Sequence, residues 1–364
     1  MSAVRLLFVL TQPVRGGVEE VVLALLRRLD PGEFRLGLAA PRPLLDALGP
    51  DLAGVRVDAE AIAGDTRSAF APLAGFMRRF RPDVVNPHIF RSTLVAAPLA
   101  RWHGARVVET YHGREGWRRG FLPDRLVARF VDRVIAVSEA ARAFLIHGKG
   151  YPAARITVVP NGRDLSVFQP GRAREAARKE LGLDRAVPLV GVVGRLETQK
   201  GHAYLLDAWP AVTRELPDAR LLLVGDGALR GALEAQARAR EVADSVIFAG
   251  FRADVPRLLD ALDVLCLPSL YEGMPLTAIE AAAMARPVVA TAVDGTPEVV
   301  REGRTGLLVP PADPPALARA LLALLRDPDG ARRMGQAGRD WALLRFDLDR
   351  QVAATARVYR SLVG

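Results

Sequence analysis

Apolar residues gather into short continuous runs, separated by longer stretches where apolar positions recur every three or four residues. In the first half the runs fall at 6–10, 34–39, 84–86, 106–109, 134–137 and 156–159. Runs of this length bounded by turn residues predict buried strands. Between them, 18–29, 68–80, 92–102 and 138–148 carry the helical period. Strand alternating with helix predicts βαβ units, hence a parallel sheet with helices on both faces. The segment 161–172 is polar and turn-rich between Pro160 and Pro170, which places an interdomain linker there. The alternation then restarts, with strands expected at 189–193, 220–224, 245–249, 264–267, 288–291 and 306–309. The last segment, 348–363, is an amphipathic helix carrying Val352, Ala356, Val358, Tyr359 and Leu362.

One stretch of the second half organises the rest. In VLCLPSLYEGMPLTAIEAAAMA at 264–285, an apolar strand is broken by Pro268, Ser269, Gly273 and Pro275, and strong helix formers follow. Proline suits the first helical position, so Pro275 is expected to open the helix. Glu272 then lies in the loop and Glu280 about a turn and a half inside the helix. A helix start after a parallel strand attracts anions. Carboxylates beside it suit hydroxyl groups, which a nucleotide sugar carries on both its ribose and its sugar.

Composition narrows the classes. A chain of 364 residues suits two domains, at about 150 residues each. Half the residues are hydrophobic and a quarter charged, enough for a core in each half. The single cysteine, Cys266, sits in the apolar run before Pro268, so a disulfide framework is excluded and a small core residue in a reducing compartment is expected. The opening MSAVRLLFVL has one basic residue and is followed by Thr11 and Gln12, which reads as a first strand rather than a signal peptide. No run reaches the ~20 apolar residues of a membrane-spanning helix. The net charge of +9 comes almost wholly from arginine, lysine occurring only at 149, 179 and 200. Such a balance fits an anionic substrate, an anionic membrane face or nucleic acid, or a merely basic surface.

Several residues carry candidate chemistry. Arg195 and Lys200 follow the first strand of the second half; one guanidinium fork and one ammonium can neutralise a diphosphate, or serve as ordinary surface cations. Gly16 and Gly17 fall in the first strand–helix turn, where glycine lets a backbone approach a ligand or simply permits a tight turn. GDGALR at 225–230 lacks the last glycine of a dinucleotide fingerprint, so a nicotinamide cofactor fits poorly. His112 and His88 follow strand ends, which face the ligand crevice in open α/β sheets. A lone histidine is more commonly a satisfied core or loop residue, and His88 keeps that alternative. Asp347-Leu348-Asp349 has the D-x-D spacing of a metal site, but it opens the terminal helix, where acidic residues favour the dipole. No metal is expected. The stretch with Trp117, Arg118, Arg119, Phe121, Leu122, Arg125, Arg129 and Arg133 mixes cations with apolar residues. Arg118, Leu122, Arg125 and Arg129 fall on related helical positions. They fit either anionic lipid headgroups or a basic helix packing its apolar side inward.

Taken in order, Gly16 and Gly17, Ser138 in AVSEA, NGRD at 161–164, Arg195 and Lys200 in GRLETQKG, Gly225 and Gly227 in VGDG, and Glu272 and Glu280 with seven residues between them resemble the retaining glycosyltransferases of family 4. That resemblance implies an α/β fold of two Rossmann-like domains facing across a cleft, the GT-B fold. It implies an acceptor-binding domain at 1–166, a nucleotide-sugar-binding domain at 167–345, and a helix at 346–364 returning to the first. It gives the donor diphosphate to Arg195, Lys200 and the Thr277 N–H, with Gly16 and Gly17 also on the donor side. The ribose goes to Glu280, and sugar hydroxyls to Glu272 and the N–H groups of Gly273, Met274 and Leu276. His112 contacts the transferred sugar. Phe251 and Arg252 are assigned to the base; His88, Arg118, Arg119 and Arg125 to the acceptor or membrane side. Pro275 departs from a glycine common in the family and removes one N–H. The implied enzyme is a retaining, metal-independent hexosyltransferase with no cofactor, moving sugar from a nucleotide diphosphate sugar to a cell-envelope glycan or lipid-linked acceptor. It would be cytoplasmic and peripheral on the inner membrane face. A sugar-nucleotide epimerase of the same fold and a non-catalytic sugar-nucleotide-binding protein are the alternatives. Nucleic acid is disfavoured, since only Trp117 and Phe121 interleave with the basic residues.

Overall fold

The computed structural model describes residues 3–113 and 126–363. The chain forms two compact units, one of Met1–Gly162 with Leu348–Gly364 and one of Arg163–Asp347. The first holds a seven-stranded sheet of β1 (Val4–Val9), β2 (Phe34–Pro41), β3 (Val57–Ile62), β4 (Val84–Pro87), β5 (Arg106–Tyr111), β6 (Arg133–Ala136) and β7 (Ile156–Val158). Its order is β3-β2-β1-β4-β5-β6-β7, and every pairing is parallel. The second unit holds six parallel strands, β8 (Leu189–Val193), β9 (Arg220–Val224), β10 (Val246–Gly250), β11 (Val264–Leu267), β12 (Val288–Thr291) and β13 (Gly306–Val309), ordered β10-β9-β8-β11-β12-β13. Strands covered on both faces have no polar side to show, which is why LVGVV, VLCL and VVAT read as unbroken apolar runs. Cys266 is fully buried in this core, and burial pushes its thiol pKa up.

Two elements of the first unit escape the hydrophobic pattern. Strand β3, VDAEAI, lies at the sheet edge and buries only its last residue well, so its acidic alternate positions meet solvent. The helix Arg42–Leu52 buries only Leu44 and Leu48, one turn apart, and contains Pro43, Gly49 and Pro50. A stripe of two residues is too short to register as a helical period. In the second unit Pro275 is the residue before the helix Leu276–Ala283, with φ −72 and ψ 113, and not its first turn.

The division falls at 162/163 and 347/348, where the sequence suggested 166/167 and 345/346. Arg163 bridges by its backbone to Asp347, and its N–H donates to the Phe346 carbonyl at 2.9 Å, which ties it to the second unit. The helix Leu348–Arg360 packs on the first unit. Its Tyr359 is buried edge-on against Phe8 and Phe34, at centroid distances of 6.4 and 6.2 Å, and its hydroxyl donates to Asn86 Oδ1 at 2.6 Å. Among the described residues no helix is long and apolar enough to cross a membrane.

Candidate functional site

In an open parallel sheet, ligands bind outside the carboxyl ends of the strands where the strand order reverses. In the second unit that place lies between β8 and β11. Lys200 follows β8 and Glu272 follows β11, and their side chains meet there, Lys200 Nζ donating to Glu272 Oε1 at 2.6 Å. Ser269 Oγ donates to the same oxygen at 2.8 Å. The Glu272 backbone N–H donates to Asp294 Oδ2 at 3.1 Å, fixing the loop from the turn after β12. Glu272 is only 6% exposed, so a charge-assisted pair in low dielectric holds it.

Backbone packing puts the two loops together. Gly201, at φ +65, lies on the Pro268 carbonyl, and any Cβ there would collide with it. Leu270 N–H donates to the Gln199 carbonyl at 2.8 Å, and Gln199 Nε2 returns to the Tyr271 carbonyl at 3.0 Å. The loop after β9 is laced on in the same way. Gly225 and Gly227 sit against the carbonyls of Gly194 and Leu196, while Leu196 N–H donates to the Asp226 carbonyl at 2.9 Å. Three strand ends thus present one connected surface.

No side chain caps the helix Leu276–Ala283. Its first N–H groups, those of Leu276 and Thr277, are left for an anion or water. Beside the Lys200 ammonium they form a region suited to a diphosphate, with Glu272 as the adjacent hydrogen-bond acceptor for hydroxyls. Gly273 and Met274 lie in the connecting loop. Arg195, expected alongside Lys200, is half-exposed and pairs with Glu197 at 2.9 Å. Glu280 is buried and paired with Arg163 at 2.7 Å, a partner the sequence reading did not assign to it. Phe251 is 77% exposed past the end of β10. Arg252, expected to read a base with it, instead has its guanidinium committed to Asp254 and Glu180, at 2.7 and 2.8 Å. Asp254 lies two residues from it and Glu180 72 residues away, and their two charges draw the guanidinium there.

In the first unit the order reverses between β1 and β4. Gly16 precedes the helix Gly17–Arg28, whose start no side chain caps. His88 follows β4 and His112 follows β5. Their rings stack with centroids 5.0 Å apart, and His88 Nδ1 lies 2.8 Å from His112 Nε2. His88 Nε2 lies 3.0 Å from Asn86 Oδ1. His88, expected on the acceptor side, is therefore wholly buried with both ring nitrogens engaged, and it reaches a ligand only through His112. The next residue, Ile89, has φ +66 and ψ 155, a conformation that a β-branched side chain adopts only under strain of about 1–3 kcal/mol. Such strain persists where neighbours over-determine the backbone: His88 N–H donates to the Val9 carbonyl at 3.1 Å and Ile89 N–H to the Thr110 carbonyl at 3.3 Å.

Desolvation lowers the pKa of three histidines. His112 falls from its ordinary 6.5 to about 4. His202 falls to about 4, by burial first and then by the Lys200 charge. His88 lies well below its ordinary value, by burial and then by His112. Between pH 6.5 and about 4 the unfolded chain takes up protons that these folded-state imidazoles refuse. Stability therefore rises with pH across that window and is lost as pH falls through it. Melting temperatures measured at pH 4 to 7 are expected to show this slope, and His202→Gln to flatten it. An unchanged slope in the variant overturns the assignment.

Arg118, Arg119 and Arg125 lie outside the described residues. Arg129 falls in the 3₁₀ turn Ala128–Phe130, where the α-helical spacing read from the sequence does not continue, and Arg133 opens β6. In the D-x-D segment, Asp349 pairs with Arg28 at 3.5 Å, and among the described residues no acidic, histidine or cysteine cluster is arranged to hold a metal. Sequence reasoning gave no role to Ser269, Asp294, Arg163, Asn86 or Tyr359. Ser269 lies only three residues from Glu272, but the other partners lie far away in sequence, 273 residues in the case of Tyr359 and Asn86, and no local spacing signals them.

A sequence profile described as Glycosyltransferase Family 4 matches residues 15–167, and one described as Glycosyl transferases group 1 matches 187–327. Glycogen synthase of Mycobacterium tuberculosis is 33% identical over 300 residues, covering 78% of this chain and 70% of that protein. The GDP-mannose-dependent α-(1-6)-phosphatidylinositol monomannoside mannosyltransferase of Mycolicibacterium smegmatis is 37% identical over 265 residues, 68% of each chain. Among solved structures, that of Anabaena HepE in complex with UDP-glucose matches with a TM-score of 0.85 at 22% identity, over 98% of this chain and 99% of that one. That last likeness concerns the fold, which is GT-B, with a parallel α/β sheet in each unit. The profiles and relatives set aside the epimerase and the non-catalytic binding protein: the chain is a glycosyltransferase and belongs to family 4.

Proposed function

We propose that this glycosyltransferase moves a sugar from a nucleoside diphosphate sugar to a cell-envelope glycan or lipid-linked acceptor, with retention at the anomeric carbon and without a metal. The observation that carries the donor reading is the Lys200–Glu272 pair beside an uncapped helix start at the strand-order reversal of the second unit. Lys200 and Arg195 take the diphosphate, together with the Thr277 N–H. Charge developing on the departing phosphate is met by cations already in place. Glu272 and the neighbouring N–H groups hold sugar hydroxyls, His112 contacts the transferred sugar, and Glu280 holds the ribose by exchanging part of its bond to Arg163. Glu272 already accepts two hydrogen bonds on Oε1, which suits it to orienting hydroxyls and not to attacking carbon. Leaving phosphate and acceptor then react on one face of the sugar.

The test is a melting-temperature panel with nucleotide sugars, in which the true donor at a hundred times its Kd adds about 2.7 kcal/mol of stability. Transfer from that donor is expected to survive excess chelator. Loss of activity on chelation, restored by manganese or magnesium, overturns the metal-free reading.

The acceptor reading draws on the relative that acts on a phosphatidylinositol mannoside and on the cations between 114 and 133. Cations near an anionic leaflet contribute about 1 kcal/mol each, so three or four hold a protein reversibly on a cytoplasmic membrane face. Wild type is expected to sediment with anionic vesicles at low salt and leave them at high salt, and Arg118→Ala/Arg119→Ala/Arg125→Ala to stay in the supernatant throughout. Wild type that remains in the supernatant at low salt removes the membrane reading and favours a soluble glycan acceptor.

A further inference from the structure

The two stacked histidines end a hydrogen-bond chain that begins on the last helix, and the proton positions along it can be assigned in turn. Asn86 Nδ2 donates to the Val108 carbonyl, and to Thr110 Oγ1 at 3.0 Å. A carbonyl only accepts, so this contact fixes the amide orientation and leaves Asn86 Oδ1 as an acceptor. Three groups converge on that oxygen, Tyr359 Oη at 2.6 Å, His88 Nε2 at 3.0 Å and Thr110 Oγ1 at 3.3 Å, and His88 must donate to it. His88 therefore carries its proton on Nε2. Burial keeps the ring neutral, so its Nδ1 has only a lone pair. That lone pair lies 2.8 Å from His112 Nε2, which must donate to it.

We propose that Tyr359, Asn86 and His88 are positioning residues that hold His112 in its Nε2–H tautomer, so that His112 meets the transferred sugar through Nδ1, as the acceptor of a hydroxyl proton. This rests on the reading that His112 contacts that sugar. The neutral imidazole has one donor and one acceptor nitrogen, and the hydrogen bond at one sets the role of the other. A sugar hydroxyl facing His112 donates to it; a carboxylate in the same place would meet a lone pair. The tautomer is thereby set through Asn86 and His88, and Tyr359, from a helix that follows the whole second unit in sequence, adds a second donor that holds the Asn86 oxygen in place.

The experiment is the long-range ¹⁵N–¹H spectrum of the histidine rings in the full chain, read at neutral pH beside steady-state kinetics. In wild type His112 is expected to show a pyrrole-type Nε2 and a pyridine-type Nδ1. Asn86→Asp places a carboxylate against His88, draws a second proton onto His88 and turns its Nδ1 into a donor. His112 is then expected to switch to the Nδ1–H tautomer, with kcat falling about tenfold or more while the Kd of the bare nucleotide stays unchanged. Tyr359→Phe keeps the chain below Asn86 and is expected to retain the wild-type tautomer in most molecules. A wild-type spectrum with the proton on His112 Nδ1, or with an imidazolium, overturns the proposal whether or not the variants fold. Wild-type transfer by His112→Ala, with the tautomer as expected, overturns instead the sugar contact on which the proposal stands.

Discussion

Lys200→Ala is expected to lower sugar transfer by about a hundredfold or more and to lower the melting temperature with it, whereas Glu272→Gln takes the same activity at nearly unchanged stability. The two differ because the pair is unequal in burial: the Lys200 side chain is 20% exposed and that of Glu272 8%. Removing the cation leaves a nearly buried carboxylate with only Ser269 Oγ among its side-chain donors. Breaking a buried pair in that way costs about 3–5 kcal/mol, less where one partner reaches solvent. Glutamine keeps the volume and an oxygen that both Lys200 and Ser269 can use. It gives up the charge that strengthens bonds to sugar hydroxyls, and a hundredfold corresponds to about 2.7 kcal/mol. Nucleotide release in single-turnover mixtures and thermal melting decide it. Near-normal turnover in either variant, or a melting loss in Glu272→Gln larger than in Lys200→Ala, removes the assignment.

The largest stability effect is expected from Arg178, which has no part in the chemistry. Its side chain is 1% exposed, with Nε donating to the Ala261 carbonyl at 2.9 Å and Nη2 to Asp263 Oδ2 at 2.8 Å. Nη1 donates to the carbonyls of Asp184, Arg185 and Val187 at 3.1, 2.9 and 2.8 Å. Asp263 in turn accepts from the Leu189 N–H at 2.8 Å, the first residue of β8. One guanidinium therefore joins the helix Arg174–Glu180, the segment before β8 and the entry to β11, at the sheet end away from Lys200. Arg178→Met removes this donor from the carbonyls of Asp184, Arg185 and Val187, while the Ala261 carbonyl and Asp263 keep their bonds to Arg174, and it is expected to cost about 3–5 kcal/mol, a large share of a typical folding stability. Arg178→Lys is expected to recover little, since an ammonium cannot span the fan of acceptors that the planar fork reaches. Denaturant titration of the full chain measures both. A loss under about 1 kcal/mol in Arg178→Met contradicts the role given to it.

What the sequence made legible follows from which contacts are local. Strands β8, β9, β11, β12 and β13 span the runs expected for them, since a strand buried on both faces announces itself without reference to its neighbours. Strand β3 and the helix Arg42–Leu52 bury too little to do so. Lys200 and Glu272 could be picked out singly by residue type and motif. Their mutual bond could not, since it joins loops 72 residues apart that only the strand order brings together. Glu280 with Arg163, and Asn86 with Tyr359, are hidden for the same reason. The pairing of Arg252 with Glu180, 72 residues away, is hidden likewise, whereas its pairing with Asp254 is local.

The first unit is closed by residues that follow the second, Tyr359 filling the space against Phe8 and Phe34. During synthesis on the ribosome the early strands therefore emerge without the side chain that completes their packing, and the second unit can finish folding before they do. A fragment ending at Gly162 would leave that aromatic face and the Asn86 oxygen open to water. A chaperone that shields the nascent first unit, released only once residue 359 has emerged, would suit such an order of assembly.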